Sequence, residues 1–197
     1  MGGKRWSREL LLPLTAVLIH LITNAISPYE IHRDELLYAA MGRHLHLFRM
    51  DFPPLIAMLS EVERFLFGST MWGLRMVPAL SHGLLIYLTG RIALRLGGDQ
   101  KAVLLAGFAV LLSPLTLRAG SLFQPVVLDQ LAWTAGYLVI AALCDDGRSK
   151  WWRWLGVVGG IGLLAKFSIA FFAVGALVAL LASPQRRAFL TPHPWIA

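Results

Sequence analysis

The chain has 197 residues, of which 57% are hydrophobic and only 15% charged, and its mean hydropathy is +0.64. Soluble domains contain about 45–50% apolar and about 25% charged residues, so this composition excludes a disordered chain and most soluble enzymes. The single cysteine, Cys144, excludes a disulfide-stapled secreted domain. A pI of 10.2 is typical of nucleic-acid-binding proteins. The basic residues, however, are divided among short loops between apolar runs, which indicates an integral membrane protein.

The first apolar run extends from about Leu10 to Ile26 and follows a basic start. It predicts a first membrane span. A cleaved signal peptide is the alternative, because a basic start and a short apolar core are its usual ingredients. The apolar runs in the rest of the chain favour the span.

Charged and apolar residues are interleaved at helical spacing between residues 28 and 73. This segment is too charged to cross a membrane and too apolar for an ordinary soluble loop. The pattern predicts two helices that lie on the membrane surface, at about 34–48 and 55–67. Pro53 and Pro54 separate them, because proline cannot continue the first helix but can open the second.

Four further apolar runs predict the remaining spans. The last run, 155–182, would form a helix of about 42 Å against an apolar layer of about 30 Å. It also contains Lys166, so we expect two short spans that meet at residues 166–168. The fold class expected is an all-α, polytopic membrane bundle with about six transmembrane helices and two interfacial helices. The other three runs are about 74–96, 103–117 and 125–143.

The distribution of charge agrees with six spans and with both termini in the cytoplasm. Eleven basic and four acidic residues then lie on the cytoplasmic side, and seven of each lie outside. The whole net charge of +7 is therefore cytoplasmic, as the positive-inside rule predicts. A nucleic-acid partner is not needed to explain the basic composition.

Two acidic features lie on the predicted outer side. Asp34 and Tyr38 are four residues apart on a predicted helix, so a carboxylate and a phenol share one face at the membrane surface. The ordinary alternative is an interfacial acid that pairs with Arg33. Asp51 stands beside the Pro-Pro turn, where it could equally cap the following helix.

Three more ionisable residues are predicted at the outer ends of spans. Asp129 lies about one turn inside the fourth span, where an ionised carboxylate is costly. Lys166 and Arg118 could together bind a phosphate, and the alternative is that their side chains extend to the lipid surface.

These residues fall in motifs that occur in a recognisable order. Singly each is weak, but the set resembles the dolichyl-phosphate-mannose–protein mannosyltransferase superfamily, glycosyltransferase family 39, of the GT-C fold. The motifs are RDELLYAAMGR (33–43), DFPPL (51–55), FG (67–68) with LRMVPAL (74–80), SLFQPVVLD (121–129) and GIGLLAK (160–166).

The resemblance implies a membrane enzyme that transfers a sugar, with inversion, from a polyprenyl-phosphate donor on the non-cytoplasmic face. It implies that the family's essential acid is Asp34, with Glu35 beside it as the second catalytic acid. Tyr38 is expected in the acceptor cavity beside Asp34. The acceptor is a lipid, a glycan or a protein, and a requirement for a divalent metal is left open. The expected location is a bacterial inner membrane.

The resemblance also implies roles for three residues further along the chain. Lys166 matches the lysine of the family's glycine-leucine-lysine stretch, while Asp51 and Asp129 match acids that line the cavity. We expect Lys166 to meet the donor phosphate, because a buried amine without a partner would be costly. Arg118 is a second candidate phosphate ligand on physical grounds, without support from the resemblance. Phe52 stands where the aminoarabinose branch of the family has a lysine, so membership of that branch is not expected.

The chain ends at Ala197, about where such enzymes begin a seventh span. We therefore expect residues 1–197 to be the N-terminal part of a GT-C transmembrane domain, with residues 28–73 as its outer loop, and to transfer no sugar alone. The alternative function is that of a non-catalytic transporter or assembly subunit for a lipid-linked carrier. The intact acids at positions 34, 51 and 129 favour the enzyme.

Overall fold

The computed structural model describes residues 9–27, 30–46 and 52–196, and within these residues it contains helices but no strands. The all-α expectation is confirmed. The α-helices are numbered here in chain order, and two short 3-10 helices, Pro184–Leu190 and His193–Trp195, follow them. They are α1 Leu11–Ile26, α2 Arg33–Arg43, α3 Leu55–Phe67, α4 Met71–Leu74, α5 Met76–Arg95, α6 Gln100–Leu111, α7 Pro114–Ser121, α8 Pro125–Asp146, α9 Lys150–Ala165 and α10 Ile169–Ala182.

Two helices in the described part of the chain are long and apolar enough to cross a membrane, namely Met71–Arg95 (α4 with α5) and α8. Two bent pairs could each form one more span: α6 with α7, which meet at 63°, and α10 with Pro184–Leu190, which meet at 101°. The α1 helix is apolar but shorter. By length and composition there are thus two to four candidate spans, and the arrangement with six stays a prediction.

The apolar runs break at two places for local reasons. The run 103–117 is two helices, because α6 ends at Leu111 and Pro114 opens α7. The helix pair that corresponds to this predicted span is therefore bent, by 63°. The long final run breaks where it was predicted to break, since Lys166 has extended backbone (φ −163°, ψ 138°) between α9 and α10. The lysine therefore lies between two helices and not inside one.

Helices α2 and α3, which follow α1 in the sequence, pack against each other. Gly42 lies at their contact, where a β-carbon would collide with the hydroxyl of Ser60. The α2 helix ends at Arg43, earlier than predicted, whereas α3 has the predicted bounds. Phe65 and Leu66 of α3 are exposed, as expected for a helix that lies on a membrane surface.

One core cluster lies where α3, α7, α8 and α9 meet, while α5 is the central helix of the bundle and contacts α1, α6, α7 and α8. Tyr38 of α2 packs on this cluster, and Ala165, the residue before Lys166, belongs to it. Tyr38 of α2 and the α9–α10 break that contains Lys166 therefore both lie against this core cluster. The buried members of the cluster are Ile56, Leu74, Ala119, Phe123, Val127, Leu128 and Ala165.

Candidate functional site

Glu35 is completely buried and both of its carboxylate oxygens are occupied. Its Oε1 accepts hydrogen bonds from Nε of Arg75 (3.0 Å) and from the backbone N–H of Phe123 (2.9 Å). Its Oε2 accepts from Nη2 of Arg75 and from the backbone N–H of His32, both at 2.8 Å. Burial alone would raise the pKa of Glu35, but these hydrogen bonds outweigh it and hold the pKa below its usual value. Glu35 therefore joins the start of α2 to the start of α5 and to the α7–α8 junction.

Asp34, the neighbouring acid, is about a third exposed (35%) and has one oxygen firmly held. The side-chain amide of Gln124 donates to its Oδ2 at 2.9 Å. Its Oδ1 is 3.4 Å from Nε of Arg33, whose side chain is 92% exposed, so this contact holds it weakly. Nδ1 of His32 accepts the backbone N–H of Asp34 at 3.2 Å and lies 3.9 Å from Oδ2, too far for a hydrogen bond to that oxygen. Oδ1 thus remains accessible to a further partner.

Tyr38 lies beside Asp34 on α2. Burial raises the pKa of Tyr38, and the negative charge of Asp34 raises it further. The phenol ring also makes an edge-to-face contact with Phe52, with the ring centroids 6.1 Å apart. The carboxylate and the phenol therefore interact electrostatically, and an aromatic side chain closes one side of the pair.

Asp129 and Lys166 form a second polar group, at the start of α8 and the α9–α10 break. The hydroxyl of Ser168 donates to Oδ1 of Asp129 at 2.6 Å, and Nζ of Lys166 is 4.0 Å from Oδ2. The Asp129 side chain is mostly buried, whereas that of Lys166 is 45% exposed. Lys166 therefore has a carboxylate partner already and still presents its ammonium group to the surroundings.

A cavity of about 750 Å³ lies where α1 ends, between the start of α2 and helix α7. Arg33, Arg75 and Arg118 contribute to its wall, as does Asn24, which is only 9% exposed. Nδ2 of Asn24 is buried without a hydrogen-bond partner. Arg118 faces this cavity, whereas Lys166 contacts Asp129, so the two predicted phosphate ligands are in different surroundings. Glu30, His32 and Ser121 also line the cavity.

Two buried histidines lie next to the cavity wall. Nε2 of His20 and Nδ1 of His82 are 2.8 Å apart, and the hydroxyl of Ser121 is 3.3 Å from Nδ1 of His20. Gly120 permits this contact between helices, because a β-carbon there would lie 2.6 Å from Nε2 of His20. The pair connects α1, α5 and α7, and through Ser121 it reaches the cavity.

Sequence reasoning missed four of these residues. Arg75 is a charged residue within an apolar run, so it needs a partner of opposite charge. Glu35 was predicted near the same membrane surface and could have suggested that partner. Gln124 is a polar residue directly before the proline that opens α8, which is a weaker signal. The contact between His20 and His82 depends on how the helices pack, and no spacing in the sequence indicates it.

The remaining predictions concern Asp51 and a metal. Asp51 lies outside the described residues. Among the residues that are described, no three His, Cys, Asp or Glu side chains are grouped as a metal site would require.

Comparison with known proteins identifies the family. A family model for dolichyl-phosphate-mannose-protein mannosyltransferase matches residues 51–197, and no curated protein matches the chain. The matched segment includes Arg118, Asp129 and Lys166, whereas Asp34 and Glu35 precede it. Together with the apolar helices, the match indicates an integral membrane glycosyltransferase of the GT-C type. Because the match covers most of the chain, the chain belongs to the dolichyl-phosphate-mannose–protein mannosyltransferase family.

Proposed function

We propose that this protein transfers a sugar from a polyprenyl-phosphate donor to a hydroxyl group of a lipid, glycan or protein, with inversion at the anomeric carbon. The reaction takes place on the non-cytoplasmic face of a membrane, which we infer to be a bacterial inner membrane. Asp34 is the general base. The observation that supports this most directly is that Asp34 has one oxygen held and the other accessible, at the start of a helix beside an arginine-lined cavity.

Asp34 suits the role of base better than Glu35 does. A general base must accept a proton from the acceptor, so one of its oxygens must be reachable. Glu35 is fully buried and accepts four hydrogen bonds, which leaves no place for an acceptor hydroxyl. We therefore assign Glu35 a role in positioning and not in proton transfer.

The donor phosphate is expected to bind through cations at the same end of the bundle. Arg33 and Arg118 line the cavity, and arginine binds phosphate oxygens through paired N–H donors. Arg75 lines it too, but its Nε and Nη2 are already bound to Glu35. The buried amide of Asn24 offers another donor there. Lys166, half-exposed beside Asp129, provides a second positive group to which a lipid phosphate can approach from the membrane.

The bond changes follow from these positions. The Asp34 carboxylate removes the proton of the acceptor hydroxyl while the acceptor oxygen attacks the anomeric carbon. The bond from that carbon to the phosphate oxygen breaks, and its electron pair leaves with the polyprenyl phosphate. A single displacement of this kind inverts the anomeric carbon. The cations stabilise the negative charge that develops on the leaving phosphate.

The test compares two donors with the full-length protein in membranes: a radiolabelled sugar on polyprenyl phosphate and the same sugar on a nucleotide. We expect transfer from the lipid donor only, and a product of inverted anomeric configuration by NMR. Arg118→Gln should raise the KM for the lipid donor about tenfold or more, since a hydrogen bond to a charged group contributes about 1.5–3 kcal/mol. Arg153→Gln, at an exposed position of α9, is the control and should change little. Transfer from the nucleotide sugar without a lipid carrier would contradict the proposal.

A further inference from the structure

Two consecutive acids on α2 bind two consecutive residues of the α7–α8 junction. Oδ2 of Asp34 accepts the side-chain amide of Gln124, and Oε1 of Glu35 accepts the backbone N–H of Phe123, each at 2.9 Å. The acids are adjacent in sequence, and so are their partners. The junction is therefore held at two neighbouring points.

We propose that Gln124 is a positioning residue of the transfer reaction, whose side-chain amide fixes the Asp34 carboxylate in the orientation that receives the acceptor's proton. The inference rests on the proposed function, because it requires Asp34 to be the base. Gln124 acts through Asp34 and touches no reacting atom.

Gln124 is suited to this task because its own backbone is firmly placed. It precedes Pro125, which disfavours helical backbone at the preceding residue, and its backbone is extended (φ −141°, ψ 154°). Phe123, one residue earlier, is completely buried and bonded to Glu35. The buried pair of Glu35 and Arg75 therefore anchors the segment from which the Gln124 side chain extends.

No other described neighbour of Asp34 gives the same restraint. The Arg33 side chain is 92% exposed and contacts the other oxygen at 3.4 Å. Nδ1 of His32 lies 3.9 Å from Oδ2, too far for a hydrogen bond to that oxygen. With Oδ2 held by Gln124, Oδ1 is the oxygen left for the acceptor. Misplacing a catalytic group by about 1 Å can cost about 100-fold in rate, so losing this restraint should act mainly on kcat.

The experiment measures kcat and KM for transfer from a polyprenyl-phosphate sugar in membranes that contain the full-length wild type or single variants of it. We expect Gln124→Met, which keeps the side-chain length without the amide, to lower kcat by about 10- to 100-fold. The donor KM should change less than about twofold and the thermal stability should stay near that of the wild type. Gln124→Glu should be at least as impaired, because it places a carboxylate against Asp34. Gln185→Met, at a glutamine in the 3-10 helix after α10, is the control.

A second measurement covers variants that fold poorly. In the double variant Asp34→Asn with Gln124→Glu, the amide is at position 34 and the carboxylate at position 124, so the hydrogen bond between them can form again. Folding should therefore be restored, but activity should not, because position 34 no longer carries a carboxylate. In an Asp34→Asn background, Gln124→Met should cause no further loss of activity, whereas an added loss of similar size would overturn the inference. A kcat within twofold of the wild type in Gln124→Met, or a loss confined to stability, would also overturn it.

The two proposals fail in different ways. If Asp34→Asn abolishes transfer and Gln124→Met keeps a kcat within twofold of the wild type, the positioning role alone is overturned. If Asp34→Asn remains active, the assignment of the base is wrong and the role of Gln124 falls with it.

Discussion

Replacing Arg75 should reveal how much the fold depends on the buried carboxylate of Glu35. In Arg75→Leu the Glu35 carboxylate would lose its counter-ion and two of its four hydrogen bonds. The side chains of Glu35 and Arg75 are 0% and 5% exposed, so water cannot replace the lost partner. Removing one member of a buried pair costs about 3–5 kcal/mol, and we expect the free energy of unfolding to fall by that amount at neutral pH. Arg75→Lys keeps the charge but not the paired N–H donors, so its effect should be intermediate.

Chemical or thermal unfolding of the detergent-solubilised protein measures this change, and Arg64→Leu is the matched control. Arg64 also pairs with a glutamate, Glu61, but at the surface, so this variant should unfold like the wild type. The pKa of Glu35 is lowered in the folded protein, so the stability it contributes is present above its ordinary pKa and lost as the pH falls through its folded pKa. The difference between Arg75→Leu and the wild type should therefore shrink in acid. If Arg75→Leu unfolds like Arg64→Leu at neutral pH, the reasoning is refuted.

Three further predictions concern Glu63, Gly120 and Lys166. Burial raises the pKa of Glu63 to about 8, so the free energy of unfolding should decline as the pH rises from about 4.5 to 8. Glu63→Gln should remove that decline. An identical pH dependence of thermal unfolding in both proteins would contradict this prediction. Gly120→Ala would push a β-carbon against His20, and we expect a loss of about 1–3 kcal/mol by the same unfolding assay, so full stability would show that the helices are not this close. Lys166→Ala should raise the donor KM several-fold without reducing expression, and an unchanged KM would leave this lysine only as a partner of Asp129.

The sequence predicted those parts of the fold that depend on local physics. Proline positions gave the bounds of α3, because Pro54 precedes the helix without interrupting it. The cost of a lysine in mid-helix predicted the break at residues 166–168. The run 103–117 was predicted as one span because its apolar residues are continuous, but Pro114 opens a second helix within it. A hydropathy pattern does not register such a bend, since both halves remain apolar.

For the candidate site, the sequence indicated which residues were unusual but not which would meet. Asp34 and Glu35 are adjacent acids in the sequence, and only the structure shows that one carboxylate is about a third exposed and the other completely buried. That difference arises from Arg75 and Phe123, which are 40 and 88 residues away from Glu35 along the chain. Contacts over such distances depend on how helices pack, and no periodicity in a single sequence encodes them.

The most direct test of the account is the turnover of Asp34→Asn in the full-length protein, with a polyprenyl-phosphate sugar as donor. A general base contributes about 10²- to 10⁴-fold, so kcat should fall by that factor while expression, membrane insertion and donor binding stay near wild type. Asp99→Asn is the matched control, because Asp99 caps the start of α6 and asparagine caps helices equally well. If Asp34→Asn keeps more than about a tenth of the wild-type kcat, Asp34 is not the base and the central claim is wrong.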